Sequence, residues 1–298
     1  MMPEVPLLVQ VVSGNPATLV AVLQCLDTYD ATILRHVHPV LLRTVTDVVW
    51  CDAAATVHDL CRWRAALPSA VGARLLVLDD PTLLAGLAAL DLRQCTAVTD
   101  AVIQSLPSTL RHLNVQQCGK LTPAASFTHL RWLLTLDCSA TVALEAGLGG
   151  LPPSLQELQM RRSEPWPACF RHLSALRVLS WPRGLAEEAC AATLPPTLEV
   201  LDITDNGMAE ETMSLTHLPR LRVVYAGTTA ISNGMLAALP ASVEELAAWE
   251  CHNLTPAVSF AHLCGLRTLC TRDTAIGDAT LASLPPSLVS LNVSQCKL

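Results

Sequence analysis

The chain has 298 residues, is 51% apolar and only 15% charged, and carries a net charge of −7. That composition supports a large core and excludes a disordered chain, while the negative balance argues against a general nucleic-acid binder, which needs clustered positive charge for phosphate. A mean hydropathy of +0.40 does not come from a membrane span, because no run of about 18 residues lacks charged or strongly polar side chains.

Residues 1–44 form a unit of their own. Pro3 to Val12 is apolar but short, with no basic stretch before it and no small-residue cleavage pattern. No signal peptide is read there, and a cytoplasmic or nuclear location is expected. Asn15-Pro16 is a helix start, with Leu19, Val22, Leu23 and Leu26 at helical spacing behind it. Asp27-Thr28-Tyr29-Asp30 interrupts this stripe, and Ile33, Leu34 and Val37 resume it as far as His38-Pro39. Residues 45–86 read as one irregular, longer unit. It holds a strand over Val45–Trp50, a helix over Ala54–Ala66 and a second strand over Arg74–Leu78.

From residue 87 to residue 298 one frame recurs, L-x-x-L-x-L-x-x-C. It begins at Leu87, Leu110, Leu133, Leu155, Leu176, Leu198, Leu221, Val243, Leu266 and Leu288, ten starts spaced 21 to 23 residues apart. A fixed period of that length is the signature of a solenoid. Two kinds of coil alternate. One strand is entered through Leu-Pro, as in LPPSL (151–155), and the next through His-Leu, as in HLSAL (172–176). Residues 106–155 and 239–288 align without a gap and share 23 of 50 residues, so a two-coil unit has been duplicated within the chain. Proline fixes φ, has no N–H to donate and holds the preceding residue extended, which suits the step into a strand. TDAVIQSL (99–106) and GDATLASL (277–284) read as short convex helices with Asp in the first turn.

The frame resembles the leucine-rich repeat of the cysteine-containing type, most closely in LDLRQCTAVTDAVIQSL (90–106). The resemblance implies an α/β solenoid, a horseshoe with a short parallel concave sheet and a convex side of helices and turns, preceded by a small helical N-terminal segment. Two or three short helices ahead of such repeats resemble an F-box, and the matching pieces are Pro16, VAVLQCLD (20–27), Asp30 and ILRHV (33–37). That resemblance implies docking to a Skp-type adaptor of a cullin-RING ubiquitin ligase, through Pro16, Leu19, Leu23, Leu26, Ile33 and Leu34. The concave face would then recruit the substrate protein. The alternative is a plain helical cap on a general leucine-rich-repeat scaffold with no ubiquitin role. An RNA-binding or enzymatic repeat protein comes third. The chain has no phosphate-loop, nucleophile-elbow, zincin or dinucleotide-binding motif, so no enzyme is expected.

No metal or cofactor is expected either. The twelve cysteines include no C-x-x-C, and Cys95, Cys118, Cys251 and Cys296 fall at the inward ninth position of a repeat, where a small polar group satisfies the backbone of the next turn. His129, His172, His217 and His262 recur once per two coils. Equivalent residues two strands apart lie roughly 9 to 10 Å from one another, too far to share a zinc ion.

Leucines at positions one, four and six face the core, so positions three, five, seven and eight are expected to face solvent on the concave side. The candidate binding residues there are Arg93, Arg161, Arg162, Arg183, Tyr225, Trp249 and Arg272. Arg161, Arg162 and Arg183 read as a basic cluster for an acidic protein partner. The last strand, Leu288–Val293, is expected to leave an open sheet edge and to offer a homodimer contact.

Overall fold

The computed structural model describes residues 56–78, 80–141, 149–162, 170–181, 188–206 and 213–296. The expected N-terminal helices and the strand over Val45–Trp50 lie outside them. Within them the chain winds as a solenoid around one parallel sheet of twelve strands, paired strictly in sequence order. The sheet opens with β1 (Thr56–Val57) and β2 (Gly72–Leu75). Ten three-residue strands follow, from β3 (Ala89–Asp91) to β12 (Ser290–Asn292), one in each coil of the repeat.

Register carries the leucine frame directly into the core. Leu90, Leu113, Leu136, Leu158, Leu179 and Leu201 pair in line from coil to coil, and all are buried. The irregular unit joins the same sheet, with Thr56 against Arg74 and Arg74 against Asp91. Two expectations shift here. The first helix is α1 (Leu60–Ala66), not Ala54–Ala66, because β-branched Thr56 and Val57 pair as a strand and Asp59 caps the helix through its bond from Arg62 N, 2.9 Å. The second strand is Gly72–Leu75, not Arg74–Leu78, so Leu76 and Val77 turn outward and are exposed.

The alternation seen in sequence has a physical basis on the convex side. Coils one, five, seven and nine carry the helices α2 (Asp100–Ser105), α3 (Glu188–Ala191), α4 (Asn233–Ala237) and α5 (Asp278–Ala282). Coils two and eight cross the convex side in turns alone. The three phenylalanines of the chain, Phe127, Phe170 and Phe260, all sit in even coils and are fully buried. An aromatic side chain fills there the volume that a helix fills in odd coils. The prolines act through their carbonyls: Pro107, Pro152, Pro195, Pro240 and Pro285 each accept from the N–H two residues before the next strand. In the intervening coils Leu130, Leu173, Leu218 and Leu263 do the same.

The ninth position behaves as its chemistry requires. Cys118 Sγ donates to Leu92 O at 3.2 Å and Cys251 Sγ to Ala226 O at 3.0 Å, while Thr229 and Thr274 hydroxyls bond carbonyls three residues back. Burial pushes the Cys118 thiol up to about 12 and raises Cys138 and Cys251 as well. These are packing thiols that satisfy backbone. Among the described residues no helix is long and apolar enough to cross a membrane, and no group of His, Cys, Asp and Glu is placed to hold a metal ion.

Candidate binding face

The concave face is built by a turn that recurs at the end of the strands of coils one, two, three, six and ten. At position five, an Asp or Asn accepts from the backbone N–H two residues on. The pairs include Asp91 with Arg93 N (3.0 Å), Asn114 with Gln116 N (2.9 Å), Asp137 with Ser139 N (3.0 Å) and Asp202 with Thr204 N (2.9 Å). Such Asx turns end the strand by giving the backbone a local partner. Position eight then takes a left-handed conformation, with φ between 53° and 64° at Gln94, Gln117, Ala140, Arg162, Asp205, Thr228, Glu250, Asp273 and Gln295. None of these is glycine. Their N–H groups extend the ladder beyond the strands, as where Ala140 N donates to Arg161 O at 2.7 Å.

Position five is therefore not the outward column expected from alternation alone. Asp91, Ser180, Asp202 and Ala247 are buried. The Asp91 and Asp202 carboxylates at this level cap the turn on one side and are covered by arginines on the other. Arg93 is half-buried and grips Asp91, Nη2 to Oδ2 at 2.6 Å and Nε to Oδ2 at 2.8 Å, and Arg74 approaches the same oxygen at 3.8 Å. The bond to Asp91 raises the Arg93 pKa.

Two arginines of the basic cluster expected at the middle of the face are paired within the chain. Arg161 pairs with Asp202 and Arg162 with Asp205, each reaching from the fourth coil over the fifth to the sixth. Ser180, the small residue crossed on the way, turns its hydroxyl onto Gln159 at 2.5 Å. Arg183 lies outside the described residues. Arg272 is exposed and bonded to Glu250 at 2.8 Å. Two shallow depressions run along the first half of the face. One of about 360 Å³ is bordered by Arg93, His112, Asp137 and Glu157, and one of about 400 Å³ by Gln117, Gln159, Arg161 and Asp205.

Coils four, five, seven, eight and nine depart from the turn rule, with Gln159, Ser180, Tyr225, Ala247 and Cys270 at position five in place of Asp or Asn. Tyr225 and Trp249 are half-buried rather than free on the surface. Burial, then Glu245 and Asp202, push the Tyr225 phenol up. Trp249 lies flat on Gly227 of the preceding coil: a Cβ built on that glycine would fall 2.0 to 2.4 Å from three indole carbons. Sequence reading picked out Trp249 but missed Gly227. The signal was available in the seventh-position column, where a glycine precedes the one tryptophan.

No family model matches the chain, and no curated protein matches its sequence. Solved structures do. An internalin, InlF, from Listeria monocytogenes matches with a TM-score of 0.55 at 15% identity, over 90% of this chain and 88% of that one. The functional domain of InlJ from the same organism, described as including a cysteine ladder, matches with a TM-score of 0.60 at 17% identity. That match covers 86% of this chain and 56% of that one. The likeness is one of fold. The protein is a leucine-rich-repeat solenoid with a capped, polar concave face.

Proposed function

We propose that this chain is a protein-recognition scaffold and that the concave face is where the partner binds. The observation that carries the reading is the preorganisation of that face. Asx turns, left-handed residues and ion pairs fix its side chains before any partner arrives, which lowers the ordering cost of association. Arginine, tyrosine and tryptophan, the types that dominate interface energetics, are gathered on it. A photo-crosslinking side chain at Gln117, on the concave face, is expected to capture a discrete protein partner. The same group at Ala124, on the convex side, is expected to capture none. Equal capture from both positions would remove the concave face from the proposal.

A more specific reading rests on the F-box resemblance of residues 1–44, which lie outside the described residues. In it the chain is the substrate-recruiting adaptor of a cullin-RING ubiquitin ligase, working in the cytoplasm or nucleus. Purified Skp-type adaptor protein should then bind the full chain and lose binding on Ile33→Asp and Leu34→Asp. Failure to bind the unaltered chain leaves the general scaffold. The outer edge of β12 is the place for self-association, because Val289 is 76% exposed and Leu291 42% exposed. Light scattering on the protein and on a Leu291→Lys, Val293→Lys variant reads this, and a monomer for both at high concentration excludes the homodimer.

A further inference from the structure

We infer that Trp249 is a stacking platform for an arginine side chain of the partner protein, within an acidic stretch of the concave face. The inference rests on the recognition reading above and names the chemistry of its partner.

Packing and charge converge on it. Coils seven to nine lack the Asx turn that ends the strands of coils one, two, three, six and ten, as do coils four and five, where Gln159 and Ser180 stand at position five. Within coils seven to nine Gly227 lets the Trp249 indole lie flat against the backbone of the coil before it. One ring face is therefore fixed against the protein, and the ring remains half-exposed to the concave side. A rigid, half-exposed indole is the best aromatic partner for a cation.

Charge selects the occupant. Among the described residues every concave arginine already has a carboxylate: Arg74 and Arg93 share Asp91, Arg161 has Asp202, Arg162 has Asp205 and Arg272 has Glu250. Asp137, Glu157 and Glu245 have no arginine or lysine in ion-pair contact among the described residues. Among the described residues the uncompensated charge of the face is negative. Glu245 opens the strand Glu245–Ala247 of the same coil, and Trp249 stands in the turn two residues past its end. Between them stands Ala247, whose small side chain leaves the floor low. A guanidinium is planar, stacks on an indole and donates in a fork to a carboxylate, whereas an ammonium does only the last of these as a point charge. Arginine fits the stretch better than lysine, and an acidic segment is repelled by it. This reverses the partner charge expected from Arg161, Arg162 and Arg183 in sequence.

The test titrates the full chain, at low salt, with a short arginine–glycine repeat peptide and with its lysine and glutamate counterparts. The arginine peptide is expected to bind more tightly than the lysine one, and the glutamate peptide not at all. Trp249→Ala should weaken arginine-peptide binding about tenfold, the scale of a desolvated cation–π contact. Trp249→Phe should recover part of the loss, and Glu245→Gln should weaken binding independently. Trp132→Ala removes a tryptophan 66% exposed outside the concave columns and should change nothing. Circular dichroism of each variant separates loss of fold from loss of contact. Unchanged affinity in folded Trp249→Ala, a preference for the glutamate peptide, or no arginine-peptide binding at millimolar concentration would each overturn the inference. If the peptide fails while crosslinking at Gln117 still captures a partner, protein recognition stands and arginine recognition falls.

Discussion

Arg161 lays its guanidinium against Asp202 across an entire intervening coil, with the carboxylate only 5% exposed beneath it. The other oxygen of Asp202 caps Thr204 N at 2.9 Å, so one side chain ends its own strand and anchors an arginine from two coils away. Removing the arginine leaves a buried carboxylate oxygen without a partner, while removing the charge from Asp202 leaves only an exposed arginine. Arg161→Ala should therefore cost about 1 to 2 kcal/mol and Asp202→Asn less than that. A double-mutant cycle read by urea denaturation should give a coupling of about 1 kcal/mol. Additive effects would mean the pair contributes nothing.

Leu201 occupies position four of the sixth coil and is fully buried between the matching Leu179 and Val224. A short coil has few neighbours able to relax into the space, so Leu201→Ala should cost about 2 to 5 kcal/mol. Chemical denaturation measures it. A cost below about 1 kcal/mol contradicts the packing described.

Ala140 sits at φ 53° with no side-chain partner to compensate. A left-handed L-residue costs about 1 to 2 kcal/mol, and glycine returns about 0.5 to 1 kcal/mol of that as chain entropy. Ala140→Gly should raise stability by up to about 1 kcal/mol, and β-branched Ala140→Val should lower it. Opposite signs in the two melting temperatures are the outcome to look for.

Along the second position runs a ladder of alternating charge. Arg177 holds Glu199 in two bonds of 2.9 and 2.8 Å, and Arg222 holds Glu244 in two of 2.9 and 2.7 Å. These bonds lower both glutamate pKa values. A depressed carboxyl contributes stability that is present above the unfolded pKa and is lost as pH falls through the folded one. Both carboxyls should titrate below the ordinary glutamate range by NMR, and Arg177→Gln should return Glu199 to it. Titration of Glu199 in the ordinary range in the unaltered protein would refute the pairing. The arginines are exposed and the glutamates half-buried, so added salt should narrow the difference.

Thiol reactivity should divide by burial. Cys61 and Cys264 are exposed, whereas Cys118 and Cys138 are buried with raised pKa values. Alkylation at neutral pH, followed by mass spectrometry, should label the first two in the native protein. The second two should be labelled only after unfolding.

Sequence alone determined the parts of this protein that repeat. The period from Leu87 to Leu288 placed ten strands, the leucines at positions one and four, and the cysteines and threonines at position nine. Each of these is a local choice imposed again every turn by the same backbone and the same buried surface. Tertiary structure decided what differs between coils. Whether Asp202 faces water, whether Arg161 and Arg162 are available to a partner, and whether Trp249 lies down or stands up are not properties of any one repeat. They depend on Ser180 and Gly227, small residues in other coils that leave room for a long side chain to cross or a ring to settle. Alternation along a strand predicts the direction of a side chain. Burial is fixed by what neighbouring coils stack above and beside it, and in a three-residue strand that ends in a capped turn those neighbours outweigh the pleat.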